Sequence, residues 1–473
     1  MTAVDLKTLD GSRTSIASDQ LEALGKQLHG ELLLPGDPGY DTARTIWNAM
    51  IDRRPAVIVR ATDASDVQAA VNFARTHGLL LAVRGGGHNI AGNAVVDGGL
   101  MIDLTKMKSV RIDPVRRTAR VEPGVTLGEF DKEAQTFALA APLGINSTTG
   151  VAGLTLGGGF GWLSRKYGLS VDNLTAADVV TADGELVHAS ESENPDLFWG
   201  IRGGGGNFGV VTSFEFKLQP VGPMVHGGLI IHPLARGKEA IEGYAKAMQG
   251  APDDLSVWMV LRKAPPLPFL EPQYHGTDIV AFAVSYHGDP AKADQVLAPV
   301  RGIGQPIAEF LGPMPFVAWQ QIIDPLLTPG ARNYWKSHNF KSLTSGMADV
   351  MLEFAGKLPS PETEIAFAQV GGAINRVPVD ATAYPHRDIA YVLNIHTRWT
   401  DAARDQACIA WARELYDRMT PHATGGVYVN FITEGEAGLV ASAYGPNYAR
   451  LAKLKAKYDP TNLFQRNQNI KPV

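Results

Sequence analysis

The residues best placed to do chemistry sit in a loop with three consecutive glycines, Arg84–Gly85–Gly86–Gly87–His88–Asn89. Such a run exposes backbone N–H groups that can cradle a pyrophosphate, and Arg84 can offset its charge. His88, directly after the glycines, would then lie against the bound group. The segment alone leaves a plainer alternative open, a glycine turn ending in a solvated histidine. It is a poor metal site, because no second histidine lies four residues on and no carboxylate follows closely.

Glycine is over-used throughout, at 50 of 473 residues. It clusters at 85–87, 157–159 and 203–206, with irregular spacing that excludes a repeat array. Gly204–Gly205–Gly206–Asn207–Phe208–Gly209 matches the dinucleotide fingerprint letter for letter. That fingerprint should follow a strand, open a helix and meet an acidic residue about 20 positions on. Here a helical segment (195–201) precedes it, a strand follows, and no acid lies near position 229. The nucleotide-binding βαβ reading fails on context.

Composition narrows the class. Hydrophobic residues make up 45% and charged residues 19%, as in an ordinary globular protein. Lys+Arg 43 against Asp+Glu 48 gives a net charge of −5 with no basic block, which argues against a nucleic-acid partner. The longest apolar runs, such as 79–83, fall far short of the ~18 residues of a membrane span. Residues 1–11 carry Asp5, Lys7 and Asp10 and no apolar stretch, so no signal peptide and a cytoplasmic location are expected. The single cysteine, Cys408, excludes an intrachain disulfide and cysteine-ligated zinc or iron–sulfur sites. It reads as a small residue packed on a helix at 402–419.

The elements that must position these residues follow from periodicity. Strands are expected at 56–59, 79–83, 100–104, as a pair across 110–121, as a hairpin across 177–189, and at 210–218. Helices are expected at 63–76, capped by Asp63 or Ser65, and at 127–137, while residues 1–50 read as mixed helix and loop. Past Pro220 the glycine density falls. Strands at 228–232, 255–261, 278–286, 364–370 and 390–399 then alternate with helices, which describes a second domain with its own sheet. A last strand is expected at 426–432 and a basic amphipathic helix at 448–457.

Several segments, in order, carry a resemblance. They are the loop 84–89, Gly150–Val151–Ala152–Gly153 running to Gly157–Gly158–Gly159–Phe160–Gly161, Asp196–Leu197–Phe198–Trp199, and Arg202 through the glycines to Val210–Val211. Tyr444–Gly445–Pro446–Asn447–Tyr448 and Tyr458–Asp459–Pro460–Thr461–Asn462–Leu463–Phe464 follow near the end. Over nearly its whole length the chain resembles the berberine-bridge-enzyme-like FAD-linked oxidases of the vanillyl-alcohol-oxidase superfamily. The resemblance implies an α+β, two-domain FAD-binding fold. In it, residues 1–220 would begin the FAD domain, 221–424 would form a substrate domain on an antiparallel sheet, and 425–473 would rejoin the FAD domain. It also implies cofactor contacts from Arg84, Gly85, Gly86, Gly87, His88, Asn89, Gly92, Asn146, Thr148, Gly150, Gly153, Gly158, Gly159, Gly161, Asn207, Gly209, Val210 and Asn447.

The same resemblance implies a covalent bond from His88 to the 8α carbon of FAD. Many relatives add a thioether from a cysteine in a G-x-C-P-T-x-G segment. Here that segment reads Gly144–Ile145–Asn146–Ser147–Thr148–Thr149–Gly150, so Asn146 stands in the cysteine position and a single covalent link is expected.

A substrate gives up a hydride only if a base removes its O–H or N–H proton. Tyr428–Val429–Asn430 resembles the family segment whose tyrosine is that base. A tyrosine titrates near ~10, so Tyr428 would need a lowered pKa from a neighbouring cation or the flavin environment. Its alternative is an aromatic ring packed in the core. Thr149 would line the oxygen side of the flavin. In the strand at 391–399, alternation puts Asn394, His396 and Arg398 on one face. That face either lines the substrate cavity, with His396 as a second base or donor, or meets solvent. Trp258, Trp319, Tyr334 and Trp335 are candidates to stack on a substrate ring or to fill the core.

The implied activity is hydride transfer from a hydroxyl-, hemiacetal- or amine-bearing carbon of a sugar or secondary metabolite, with molecular oxygen reoxidising the flavin to give hydrogen peroxide. The alternative is a monooxygenase or dehydrogenase on the same scaffold using an oxygenated flavin N5. The expected partners are a small-molecule substrate and oxygen, not nucleic acid or membrane. Monomer and homodimer both remain open.

Overall fold

Continuous apolar runs suit strands buried on both faces of a parallel sheet. Val57–Arg60, Leu81–Arg84 and Leu100–Asp103 are such runs. They pair in parallel with Leu100–Asp103 in the centre, and Glu31–Leu33 lies antiparallel on the outer edge. The crossover helix Ala64–Thr76 is capped by the Asp63 side chain, which accepts from Asp66 N, and it buries Val67, Ala70, Val71 and Ala74. Leu81–Arg84 delivers the chain to the glycine loop at its carboxyl end, where parallel sheets place their ligands. The computed structural model describes residues 3–473.

A second, five-stranded sheet is antiparallel, in the order Leu186–Ser190, Leu174–Val180, Val210–Lys217, Thr118–Val121, Val110–Asp113. The C-terminal helix Tyr448–Tyr458 packs beside the helix Pro195–Ile201, and its Leu451, Ala452 and Leu454 share a core with Phe198, Phe208 and Phe214. Lys455 anchors it. The fully buried ammonium donates to the carbonyls of Asn207 and Phe464 and pairs with Asp459 at 2.5 Å.

The third sheet has seven antiparallel strands: β1 (Met224–Pro233), β2 (Leu255–Lys263), β3 (Asp278–Tyr286), β4 (Ala308–Pro315), β5 (Arg332–Phe340), β6 (Glu364–Gln369) and β7 (Tyr391–Trp399). Their spatial order is β4-β1-β3-β2-β6-β7-β5. One face buries Met259, Leu261, Phe282, Ile365, Phe367 and Leu393 in the core shared with the helices Gly237–Ala247, Ser345–Ala355 and Asp405–Met419. Cys408 is buried in the last of these helices. The opposite face of the sheet is free to build a site.

Three expectations need correction. Residues 3–50 hold strands as well as helices, because Val4–Lys7 and Arg13–Ile16 form a hairpin and Glu31–Leu33 joins the parallel sheet. Strands β4 and β5 escape a period-2 reading. Gly312, Pro313 and Pro315 disguise β4, while β5 buries Asn333, Lys336, Ser337, His338 and Asn339. Gly426–Ile432 is not a strand, since Val429–Phe431 forms a single 3₁₀ turn in which Phe431 N donates to Tyr428 O.

Asp131, on the helix Leu127–Gln135, is a buried acid with one partner. Its Oδ2 accepts from Gln320 Nε2 at 3.0 Å and its Oδ1 has none, and burial pushes the carboxyl up to about 7. The folded pKa is raised above the unfolded value. The penalty for burying the charge is therefore absent below the ordinary carboxylate range, grows as pH rises, and is full above pH 7. Asp131→Asn is expected to stabilise the protein by ~1–3 kcal/mol at pH 8, with the gain vanishing near pH 4. Denaturant unfolding at the two pH values checks this, and an equal effect at both would refute it.

Candidate active site

The glycine loops form the site because they touch. A Cβ built on Gly86 would lie 2.5 Å from Gly150 Cα, so the loop 85–87 and the start of the helix Val151–Leu156 meet backbone to backbone. Their edges line a cavity of ≈ 860 Å³, within the ~300–1,000 Å³ range of ligand sites. Gly85, Gly86, Gly87, His88, Asn89, Asn146, Thr149, Gly150, Gly153, Gly209 and Val210 all face it. So do Gly205, Gly206 and the tail residues Arg466, Asn467 and Gln468.

His88 is fixed from two sides. Its ring stacks on Trp47 at 4.6 Å and 22°, and its Nε2 lies 3.0 Å from Thr148 Oγ1. The Thr148 hydroxyl donates to Asn146 Oδ1 at 2.7 Å, so it can only accept from His88. The network therefore puts the imidazole proton on Nε2 and leaves Nδ1 with its lone pair. Enclosure in the cavity wall lowers the imidazole to about 3, so His88 is neutral at physiological pH. Asn146 Oδ1 also accepts from Thr148 N at 2.9 Å, and Asp324 accepts from Ser147 N at 2.9 Å and from the Ser147 hydroxyl. Asn146 thus orients the histidine's partner.

The sheet closes the other side of the cavity. Paired registers align its lining residues in three transverse rows. The first runs Phe310, Leu229, Ala283, Trp258, Ala368, Val392, and the second Ile231, Ala281, Val260, Ala366, Asn394. The third runs Ile279, Arg262, Glu364, His396, Trp335. Burial pushes the Glu364 carboxyl up, but Arg262, paired at 2.5 Å, and His396 outweigh it and hold the acid at about 2. His396 Nε2 donates to Asn333 Oδ1 at 3.0 Å, because the Asn333 amide nitrogen is spent on Ala331 O. Its Nδ1 lies 3.3 Å from Glu364 Oε1; burial lowers the imidazole and Glu364 pulls it part of the way back.

Tyr428 is buried at the junction of loops and sheet, edge-on to Phe160 at 4.8 Å and Phe431 at 4.9 Å. Its oxygen accepts from Gly159 N at 3.1 Å and from Asn430 Nδ2 at 3.0 Å. Gly159 sits at φ +74°, and the 3₁₀ turn brings Asn430 back toward the ring. Both N–H donors point at the phenol oxygen, where they would stabilise negative charge. Of the two means of lowering its pKa that the sequence left open, a neighbouring cation and the flavin environment, no cation acts on it among the described residues: burial pushes the phenol up to about 12, and the two N–H donors only partly oppose that shift.

Some residues singled out from the sequence do not reach the cavity. Arg84 turns its guanidinium to the Ala43 carbonyl. Asn207 binds Gly204 O, Gln468 O and Ile470 N, and Asn447 binds the carbonyls of Val379, Thr382 and Ala383, so both hold the tail and the 379–383 segment in place. Gly92, Gly158, Gly159 and Gly161 shape the walls from behind, and Thr148 acts through His88. Arg398 turns from the third row to Glu362 and Thr328. Trp258 and Trp335 line the cavity, whereas Trp319 and Tyr334 are core. Sequence reasoning missed Trp47, Glu364, Arg262 and Arg466, which no local motif marks. Asn430 was detectable, two residues from Tyr428.

Two family models match the chain: one described as FAD binding domain at residues 55–190, the other as berberine and berberine like at 427–471. An FAD-linked oxidoreductase of Dictyostelium discoideum is 33% identical, over 90% of this chain and 91% of that protein. The (R)-6-hydroxynicotine oxidase of Paenarthrobacter nicotinovorans is 32% identical, over 94% and 97%. The chain belongs to the berberine-bridge-enzyme-like FAD-linked oxidases. The crystal structure of 6-hydroxy-D-nicotine oxidase from Arthrobacter nicotinovorans superposes with a TM-score of 0.85 at 30% identity, covering 94% of this chain and 98% of that one. This berberine-bridge-enzyme-like protein is thus an enzyme, an FAD-linked oxidoreductase with the α+β fold of its relatives.

The residues present fit the cofactor. Arg466 faces the cavity with a buried Nε and makes no hydrogen bond or ion pair among the described residues, which leaves its guanidinium free to meet a diphosphate. The touching glycines line the same cavity with backbone and no side chain in the way. Among the described residues no helix is long and apolar enough to cross a membrane.

Proposed function

We propose that the protein is an FAD-dependent oxidase carrying its flavin on His88 through one covalent bond, with Tyr428 as the proton acceptor for substrate oxidation. The observation that carries this reading is a neutral imidazole and a doubly hydrogen-bonded phenol opening onto one cavity. The bound flavin supplies the hydride acceptor and the route by which electrons reach oxygen. The chain's own residues do the rest. His88 holds Nδ1 unprotonated toward the cavity, Arg466 and the glycine loops hold the diphosphate, and Trp47 and Thr148 fix the imidazole plane. Tyr428 orients the reacting hydroxyl or amine and takes its proton, while the Gly159 and Asn430 donors stabilise the charge that develops on its oxygen. In this reading residues 1–220 and 425–473 hold the flavin and 221–424 hold the substrate.

Acid precipitation of the purified protein tests the linkage, and a peroxide assay tests the reaction. Yellow colour retained in the pellet and one peroxide per substrate oxidised are expected; colour released to the supernatant or an absence of peroxide would count against the reading. Thr149 supports a second reading, because it lines the cavity with a side chain that can donate a hydrogen bond. It offers a donor to a bound oxygen species, as a monooxygenase would require. Product labelled from ¹⁸O₂, with peroxide well below stoichiometric, would favour that reading.

A further inference from the structure

The floor of the substrate side is built for an apolar molecule of more than one ring. Ala281, Ala283, Ala366 and Ala368 occupy the middle of the first two rows, on β3 and β6, flanking Trp258 and Val260 on β2. Four methyl-sized side chains on the two strands that flank β2 leave depth above the sheet on either side of Trp258 and Val260 without offering a hydrogen bond. The charged groups of the third row are committed to one another, Arg262 to Glu364 and His396 to Glu364 and Asn333. On the sheet face the uncommitted polar groups are the Asn394 amide, whose Oδ1 has no partner, and the indole N–H groups of Trp258 and Trp335.

The far end of the cavity is apolar too. Leu267, Pro268 and Phe269 come from a proline-rich loop, and Phe269 stacks on Phe310 of the edge strand β4 at 5.2 Å and 21°. Phe310 is 47% exposed, an aromatic ring left at the rim where a surface residue would ordinarily be polar.

Resting on the flavin-oxidase reading, we propose that the substrate is a flat, largely apolar polycyclic molecule bearing few polar groups. Its reacting hydroxyl or amine lies at Tyr428, its rings cover the alanine floor, one further polar group meets Asn394, and its far edge rests on Phe269 and Phe310. The same floor disfavours an oligosaccharide. Each sugar hydroxyl buried over this floor without a partner loses its hydrogen bonds to water, a loss that accumulates with every hydroxyl.

Calorimetric titration of the purified holoenzyme with benzyl alcohol, 2-naphthalenemethanol, 9-anthracenemethanol and xylobiose tests this. Each added ring is expected to tighten Kd by about tenfold, from the hydrophobic transfer of its carbons, with a negative heat-capacity change. Ala366→Phe, which fills the floor, should weaken 9-anthracenemethanol by at least about tenfold. Phe310→Ser, at an exposed rim where folding is not at stake, should weaken it several-fold and leave benzyl alcohol unchanged. Xylobiose binding more tightly than 9-anthracenemethanol, or a Kd independent of ring number, would overturn the proposal. Heat of binding needs no turnover. A protein that binds the ring series in order yet makes no peroxide from any substrate would overturn the oxidase reading and still support this one.

Discussion

Tyr428→Phe is expected to slow anaerobic flavin reduction by about 10²–10⁴-fold, the range general-base groups contribute. The substitution removes one oxygen and keeps the ring, so the edge contacts to Phe160 and Phe431 survive and flavin content should not change. Gly159 N–H loses its acceptor, and a small fall in stability should accompany the kinetic effect. The pH profile carries the sign. A base works deprotonated, and burial holds this phenol near 12, so the reduction rate should climb with pH across the whole accessible range. Asn430→Ala removes a donor that favours the phenolate, moves that limb further up, and lowers the rate at neutral pH. Stopped-flow bleaching of the flavin measures all three proteins. Unchanged reduction in Tyr428→Phe would remove the residue from the mechanism.

The second large effect concerns His88. His88→Ala should abolish acid-stable flavin entirely, leaving cofactor that is released on precipitation. Thr148→Val tests how the imidazole is prepared. Without the hydroxyl nothing pins the proton to Nε2, and flavinylation of apoprotein should slow by about five- to tenfold, the worth of one hydrogen bond. Because the folded imidazole titrates at about 3, flavinylation of the natural protein should stay flat from pH 8 down to pH 5. A free histidine would lose activity below ~6.5. A drop in rate centred near that value would show that the imidazole is solvated.

Much of the first half was legible because its signals are local. Apolar runs marked the parallel strands, and consecutive glycines marked a place where two backbones approach within Cβ distance. The motif residues His88, Asn146, Thr148 and Tyr428 could be named from the sequence, but their connections could not. Thr148 and His88 are 60 positions apart in sequence, and the hydrogen bond that joins Asn146–Thr148 to His88 is set only by the tertiary approach of two loops. No sequence pattern shows that the surroundings of Tyr428 are phenylalanines and amides, so the upward push of burial on its phenol was not legible. Strand β5 was hidden for a related reason: its buried polar residues find partners far away, as Asn333 does in His396 and Lys336 in Glu436. Arg84 shows the converse error, a correct loop with a side chain that turns outward to Ala43.

The transverse rows have a consequence for how this chain can change. Along β6 the cavity takes Glu364, Ala366 and Ala368, while Ile365 and Phe367 belong to the helix-covered core. The neighbouring strands obey the same alternation, so an exchange at a cavity-facing position leaves the helix-covered core on the other face untouched, while Trp258, Ala283, Ala368 and Val392 also pack in a smaller core of their own. Specificity is thus written on one face of the sheet and most of the packing on the other. Lineages that share this scaffold can drift from one ligand to another by single exchanges at alternate sites. An insertion of one residue within a strand, by contrast, would swap the two faces and forfeit both at once.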